Sequence, residues 1–199
     1  MDTKEKILTG ATEVFRKQGF AAARMQDIAD HCGVNKALLH YHFGSKKDLF
    51  DSILRTAFQE LIPSIMASLN GEQPLREKLA QTIGLYMDAL AANPNLPLFV
   101  LNEVNRNPDF VREHLKERQG SLDRFYEQVY QANVSGELFP VDPFDIVADI
   151  IGLSVIGYIA RPMLQGISNR SDEDYAHFLS ARKAHAVSLL MNGLFRSTV

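Results

Sequence analysis

The chain has 199 residues, 46% of them hydrophobic, with 12 glycines, 8 prolines and no tryptophan; it is long enough for a sizeable core, and fibrous or low-complexity classes are excluded. The net charge of −3 conceals an asymmetry: residues 1–50 hold eight Lys/Arg and six Asp/Glu (+2), while residues 51–199 hold 13 and 18 (−5). A small basic head on an acidic body has the sign expected for an anionic partner of the head.

Helical periodicity runs from end to end, and no stretch alternates with period two. Residues 3–18 form the first expected helix, with Ile7, Ala11, Val14 and Phe15 inward and Gly19 as its stop; Phe20 can fold back onto Phe15. A short helix follows at 25–32, where Met25, Ile28, Ala29 and Cys32 share a stripe and Gly33 supplies a left-handed end. Asn35 then caps another short helix, 36–42, whose inner residues are Leu39 and Phe43. Two short helices across so tight a turn bury little alone but hold the second clear of the body, the geometry of a helix-turn-helix whose second helix enters the DNA major groove.

Ser45 and Asp48 make a capping-box-like start for a long helix reaching about residue 69, striped by Leu49, Ile53, Ala57, Leu61, Ile65 and Leu69. Pro63 inside it is expected to kink or split it. Pro74 opens 74–92 and Asn93-Pro94 closes it. Helices at 96–106 and 109–133 end at Asn107-Pro108 and Ser135-Gly136. Asp142-Pro143 starts 143–165, and Ser171 with Asp174 caps 172–195. About nine helices with short connections give an all-α protein, divided into a head at 1–46 and a body at 47–199.

Residues 146–160 are apolar on nearly every side, so that helix needs cover all round. Gly152 and Gly157 permit close approach of another helix. A two-fold dimer through 143–165 and 172–195, with Ile151, Val155, Tyr158 and Leu189 at the seam, meets the need; the central helix of a monomeric bundle is the other arrangement. Cys32 is the single cysteine, which excludes an intramolecular disulfide, fits a reducing compartment and reads as a buried, inert thiol. The first residues, MDTKEKILTG, carry no apolar run, and the longest uncharged apolar stretch, Ile150 to Ala160, is too short to span a bilayer. A soluble, cytoplasmic protein without membrane association is expected.

Gly19-Phe20, Asp27-Ile28-Ala29, Gly33-Val34-Asn35-Lys36, Leu39, Tyr41-His42-Phe43 and Ser45-Lys46 together resemble the DNA-binding domain of the TetR/AcrR family of bacterial repressors. The likeness covers roughly the first 50 residues; beyond them only length and helical pattern agree. It implies an N-terminal three-helix helix-turn-helix domain and a C-terminal helical domain for ligand binding and dimerisation. It also implies a dimer on a palindromic operator (an inverted repeat of double-stranded DNA), released when a small molecule occupies the body.

The expected DNA-facing residues are Arg24, Gln26, Asn35, Lys36, Ala37, Leu38, His40, Tyr41, His42 and Lys46. Lys36 has the reach for guanine or a phosphate, whereas Ala37 and Leu38 offer only apolar contact, typically to a thymine methyl. Leu38 and His40 depart from the family's usual hydroxyl residue and Tyr, which puts any borrowed operator sequence in doubt. Arg24 stands where the family usually has a hydroxyl cap. Lys46 and Lys47 sit at a helix N-terminus, where their charge opposes the dipole unless an anion arrives; the resemblance makes Lys46 the phosphate-contacting lysine. His31, His40 and His42 have poor geometry for a metal, because residues two apart on a helix diverge. No metal or cofactor is expected.

For the body, Met66, Tyr86, Phe99, Phe125 and Tyr126 are candidate ligand-lining residues, and Asn102, Glu103 and His114 candidate polar anchors for a mainly apolar molecule. The same residues also read as ordinary core and helix caps. The leading function is a ligand-responsive repressor. An activator or partner-regulated factor without an inducer is the alternative. An all-α enzyme is the remotest, since no HExxH, GxSxG, CxxC or phosphate-loop motif occurs.

Overall fold

The computed structural model describes residues 2–109 and 122–196. Among them are ten helices and no strand, only an isolated bridge between Leu138 and Phe195. The chain divides into two compact units, one ending at Phe58 and one beginning at Gln59.

The first unit holds α1 (Thr3–Ala22), α2 (Met25–Cys32), α3 (Lys36–Phe43) and the opening turns of α4 (Lys46–Leu69). The regular course of α1 breaks at Gly19, whose φ of 77° and ψ of 158° suit a residue without a Cβ. Helical residues resume beyond it as far as Ala22. Ile7, Ala11, Phe15, Ile28, Cys32, Leu39, Phe43, Leu49 and Ile53 bury together, so the start of α4 belongs to this core. Burial raises the Cys32 thiol above its ordinary pKa, Glu13 pushes the same way and Lys6 opposes them. Two serine boxes are formed as the residue pattern implies. Asp48 accepts from the Ser45 N–H while its own N–H donates to the Ser45 hydroxyl, both at 3.1 Å, and the Asp174 N–H donates to Ser171 Oγ at 3.1 Å.

The second unit takes the remainder of α4, then α5 (Leu75–Ala92), α6 (Leu96–Arg106), α7 (Asp123–Ser135), α8 (Pro143–Ile159), α9 (Arg161–Ser168) and α10 (Asp172–Leu194). The expected helix 109–133 is described only from Asp123 and extends to Ser135. Leu79, Ile83, Met87, Phe125, Val129, Ile146, Ile150, Ala186 and Leu190 form its core. α4 stays one helix through Pro63 rather than splitting there.

One helix differs from its expectation. The span 143–165 is two helices, α8 and α9, bent by 68° at Ala160. The cause is Pro162: it has no N–H to give the Tyr158 carbonyl, and its ring crowds the preceding turn. The Ala160 N–H closes the first helix onto the Ile156 carbonyl at 3.0 Å, and Pro162 then serves in the first turn of the second. Arg161 and Gln165 hold α9 to α10 through Asp172, at 2.8 and 3.1 Å. Among the described residues no single helix is long and apolar enough to cross a membrane.

The described residues do not cover α8 all round. Ile146 and Ile150 are buried, yet Phe144, Ile151 and Ile156 are 71%, 45% and 43% exposed. Gly157 meets α10 within the chain, since a Cβ there would lie 2.7 Å from Leu179 Cδ2; Gly152 faces open space.

Candidate nucleic-acid interface

α2 and α3 are joined by three residues. Gly33, left-handed at φ 61° and ψ 42°, sends its N–H back to the Ala29 and Asp30 carbonyls, and the Val34 N–H reaches Ala29 at 3.0 Å. Asn35 then caps α3, its side-chain oxygen accepting the Ala37 N–H at 2.8 Å. Leu39 and Phe43 anchor α3 in the core. With that face pinned, Lys36, Ala37, His40 and Tyr41 stand exposed, Tyr41 at 83%, and Leu38 and His42 are half-buried. The Tyr41 ring meets His42 edge-on at 5.3 Å. A one-sided helix with a protruding polar and aromatic row is what major-groove entry requires.

His40 has a second task. Its Nδ1 donates to the Gly44 carbonyl at 2.6 Å, closing the end of α3 and leaving Nε2 as the ring's remaining polar atom. His31, on α2, pairs instead with Glu13 of α1 at 2.8 Å, so these two histidines serve different partners.

At the start of α2 the missing hydroxyl cap is partly replaced. Asp27 at the third helical position accepts the Arg24 N–H at 3.3 Å, a substitution visible in the residue order Arg24-Met25-Gln26-Asp27. Arg24 and Gln26 are exposed, and the Gln26 amide leans on Asp30 at 2.8 Å.

Lys46 is engaged rather than free. Its ammonium donates to the carbonyls of Phe20, Ala21 and Ala23 at 2.8, 3.3 and 3.0 Å, and lies 4.6 Å from the centre of the Phe20 ring. Residue spacing could not disclose this, because the acceptors are more than twenty positions away. Lys47 is paired with Asp51 one turn on.

In the second unit, Tyr86 packs beside the core that holds Phe125, and burial pushes its phenol up to about 12. Phe125 is fully buried and stacks at 5.7 Å on Tyr126, which is 46% exposed. Phe99 is buried on α6 and Met66 is half-buried on α4. Asn102 is exposed, Glu103 takes Arg106 at 3.1 Å, and His114 lies outside the described residues. On the seam residues, Ile151 and Leu189 are exposed and Val155 and Tyr158 half-buried. Burial first, and then Asp88 and Tyr175, raise the Tyr158 phenol.

The head is thus of the helix-turn-helix class. Residues 7–53 match the family model for bacterial regulatory proteins of the tetR family. Over these residues, the head of the chain, the protein is similar to the TetR family. It is 31% identical over 87 residues to the transcriptional activator FasR of Mycolicibacterium smegmatis, covering 44% of this chain and 40% of that one. It is 34% identical over 110 residues to the transcriptional repressor NicS of Pseudomonas putida, covering 55% and 45%. The chain therefore spans less than half the length of these two relatives. A TetR/AcrR regulator from Thermobifida fusca shares the fold at a TM-score of 0.68 and 23% identity, covering 98% of this chain and 100% of that one. Both relatives are named as transcriptional regulators, one an activator and the other a repressor.

Proposed function

We propose that this chain is a dimeric, ligand-responsive transcriptional regulator, acting on DNA in the cytoplasm as a repressor of promoters that carry an inverted repeat. The carrying observation is the row Lys36, Ala37, His40 and Tyr41, exposed on a helix whose other face is locked into the head. Residues 1–46 serve DNA binding in this reading and 47–199 serve ligand binding and dimerisation. Lys36 and Arg24 supply charge to the duplex, and Ala37, Leu38, His40, Tyr41 and His42 face base edges and sugars. The exposed apolar residues Phe144, Ile151, Ile156 and Leu189 support a second copy as the missing cover of α8 and α10.

A small, mainly apolar molecule is the proposed effector, bound near Tyr86, Phe99 and Phe125, with a preference for the state that does not fit DNA. The relatives' names include an activator as well as a repressor, so a body without an inducer, acting as an activator, is the second reading. The test is selection of bound duplexes from a randomised pool, followed by transcription from a promoter carrying the selected site. Enrichment of an inverted repeat and lower transcription fit the proposal, higher transcription favours the activator, and no enrichment removes DNA binding.

A further inference from the structure

The break at Gly19 leaves α1 with a ragged end, and the corner that follows leads directly into α2. Carbonyls at a helix end lack partners within the helix. Three of them, from Phe20, Ala21 and Ala23, converge on one side chain. Lys46 has three N–H donors, and each carbonyl lies within 3.3 Å of its nitrogen. The cation also lies over the Phe20 ring.

One turn along α4, Phe50 grips the same corner by its ring, 4.8 Å from Phe20 and 5.0 Å from Phe15. Lys46 and Phe50 therefore present one face of α4 to the α1–α2 corner, the lysine by its donors and the phenylalanine by packing. Ala23 is buried, and the next residue, Arg24, opens α2. Whatever fixes this corner relative to α4 fixes where α2, and α3 after it, stand.

We infer that Lys46 acts in DNA binding as a positioning residue, clasping the α1–α2 corner to the first turn of α4, with its donors committed to carbonyls rather than to a phosphate. The inference rests on the DNA-binding reading for its consequence, although the clasp itself is a property of the free protein. Loss of a lysine whose task was phosphate contact would cost every sequence the same. A clasp acts on geometry, so its loss falls on the site where geometry matters.

The test compares the full-length wild type with Lys46→Met, Lys46→Arg and Phe20→Leu. Each is measured on a duplex that the wild type selects from a randomised pool and on a mixed-sequence duplex, across a salt series. The melting temperature of each free protein is recorded alongside. Lys46→Met is expected to lose roughly tenfold in affinity for the selected duplex, far more than for the mixed one, and to melt lower. Its salt slope should change by less than about half of the unit that one lost phosphate contact removes. Phe20→Leu should show the same pattern with its charge intact, and Lys46→Arg, which restores charge and several donors, should recover most of the loss. Equal losses on both duplexes, with a slope lower by about 0.9, would make Lys46 a phosphate contact and overturn the inference. An unchanged melting temperature for Lys46→Met would also overturn it. Failure of the wild type to select any duplex would overturn the DNA-binding reading instead, leaving the melting comparison to decide the clasp.

Discussion

A Cβ on Gly10 of α1 would lie 2.5 Å from the sulfur of Cys32 on α2, closer than any real contact, so the two helices touch backbone to side chain at this point. Gly10→Ala should therefore destabilise the head by about 1–3 kcal/mol, even though alanine favours a helix by up to about 1 kcal/mol over glycine. Cys32→Ala removes the obstructing sulfur, so the double variant should recover part of the loss. Thermal melting of the four proteins checks this. Strict additivity of the two changes would show that the residues are not in contact.

Asn35 carries the only side-chain cap of α3, and its oxygen holds the Ala37 N–H. Asn35→Ala should cost about 1 kcal/mol of stability, while Asn35→Asp should keep the cap. The two variants part on DNA, since the aspartate brings negative charge to a helix end that faces phosphates in the proposed binding mode. Asn35→Asp should thus melt like the wild type and bind a duplex less well, with melting curves and a binding titration as the two measurements. Tight binding by Asn35→Asp would turn this end of α3 away from the duplex.

Ile151 and Leu189 are 45% and 51% exposed on adjoining helices of one chain. Ile151→Asp or Leu189→Asp leaves the single-chain core intact but places charge on the proposed seam. Each should give a folded monomer by sedimentation and weaken operator binding, because two recognition helices no longer act together. A wild type that sediments as a monomer at micromolar concentration would remove the dimer.

Legibility in the sequence follows the range of the interactions. Gly33, Asn35, Ser45 with Asp48, Asp142 with Phe144, and Ser171 with Asp174 act within four residues, so spacing reveals them. The break at Ala160 was equally local, but Pro162 lay inside an apolar run whose period continued through Met163 and Leu164, and periodicity outweighed it. The need of α8 for cover was legible in residues 146–160, but the source of that cover was not. An apolar helix looks the same in sequence whether its cover is its own chain or a second one. Lys46 was legible as a cation at a helix start, whereas its acceptors, brought near by folding alone, were not.

Two titrating groups, the buried Lys78 and the partly buried Tyr86, give the body an alkaline signature of opposing signs. Lys78 is fully covered, with the Gln128 side-chain oxygen as acceptor; burial first and Arg124 second lower its pKa. Its folded value lies below its unfolded one, so the unfolded chain holds more protons and stability rises with pH up to the ordinary lysine range. Tyr86, pushed from 10 to about 12, works the other way: its contribution is present below pH 10 and is lost as pH climbs toward 12, by at most about 2.7 kcal/mol. Tyr86→Phe should flatten the fall above pH 10, and Lys78→Met should raise stability at neutral pH and flatten the rise. Denaturant midpoints at a series of pH values measure both, and an unchanged profile in Tyr86→Phe would place its phenol in water.

Pro63 lies inside α4, which nevertheless continues from Lys46 to Leu69 as one helix. Proline there gives up a backbone hydrogen bond and crowds the previous turn, at a cost of about 3 kcal/mol relative to alanine in a helix interior. Pro63→Ala should therefore stabilise the protein unless the surroundings are adapted to the proline. The same helix carries Lys46 at its first residue and Met66 one turn before its end, so in the proposed mechanism it joins the effector to the corner that Lys46 clasps. An effector that binds the DNA-incompetent state about 100-fold more tightly supplies roughly 2.7 kcal/mol of coupling. If the proline makes α4 compliant at its middle, Pro63→Ala should change that coupling more than it changes either binding constant alone. The measurement is operator affinity titrated against the effector, once a metabolite screen has found one, for wild type and Pro63→Ala. Equal coupling in the two proteins would take Pro63 out of the mechanism, and a screen in which no molecule moves operator affinity would favour the activator without an inducer.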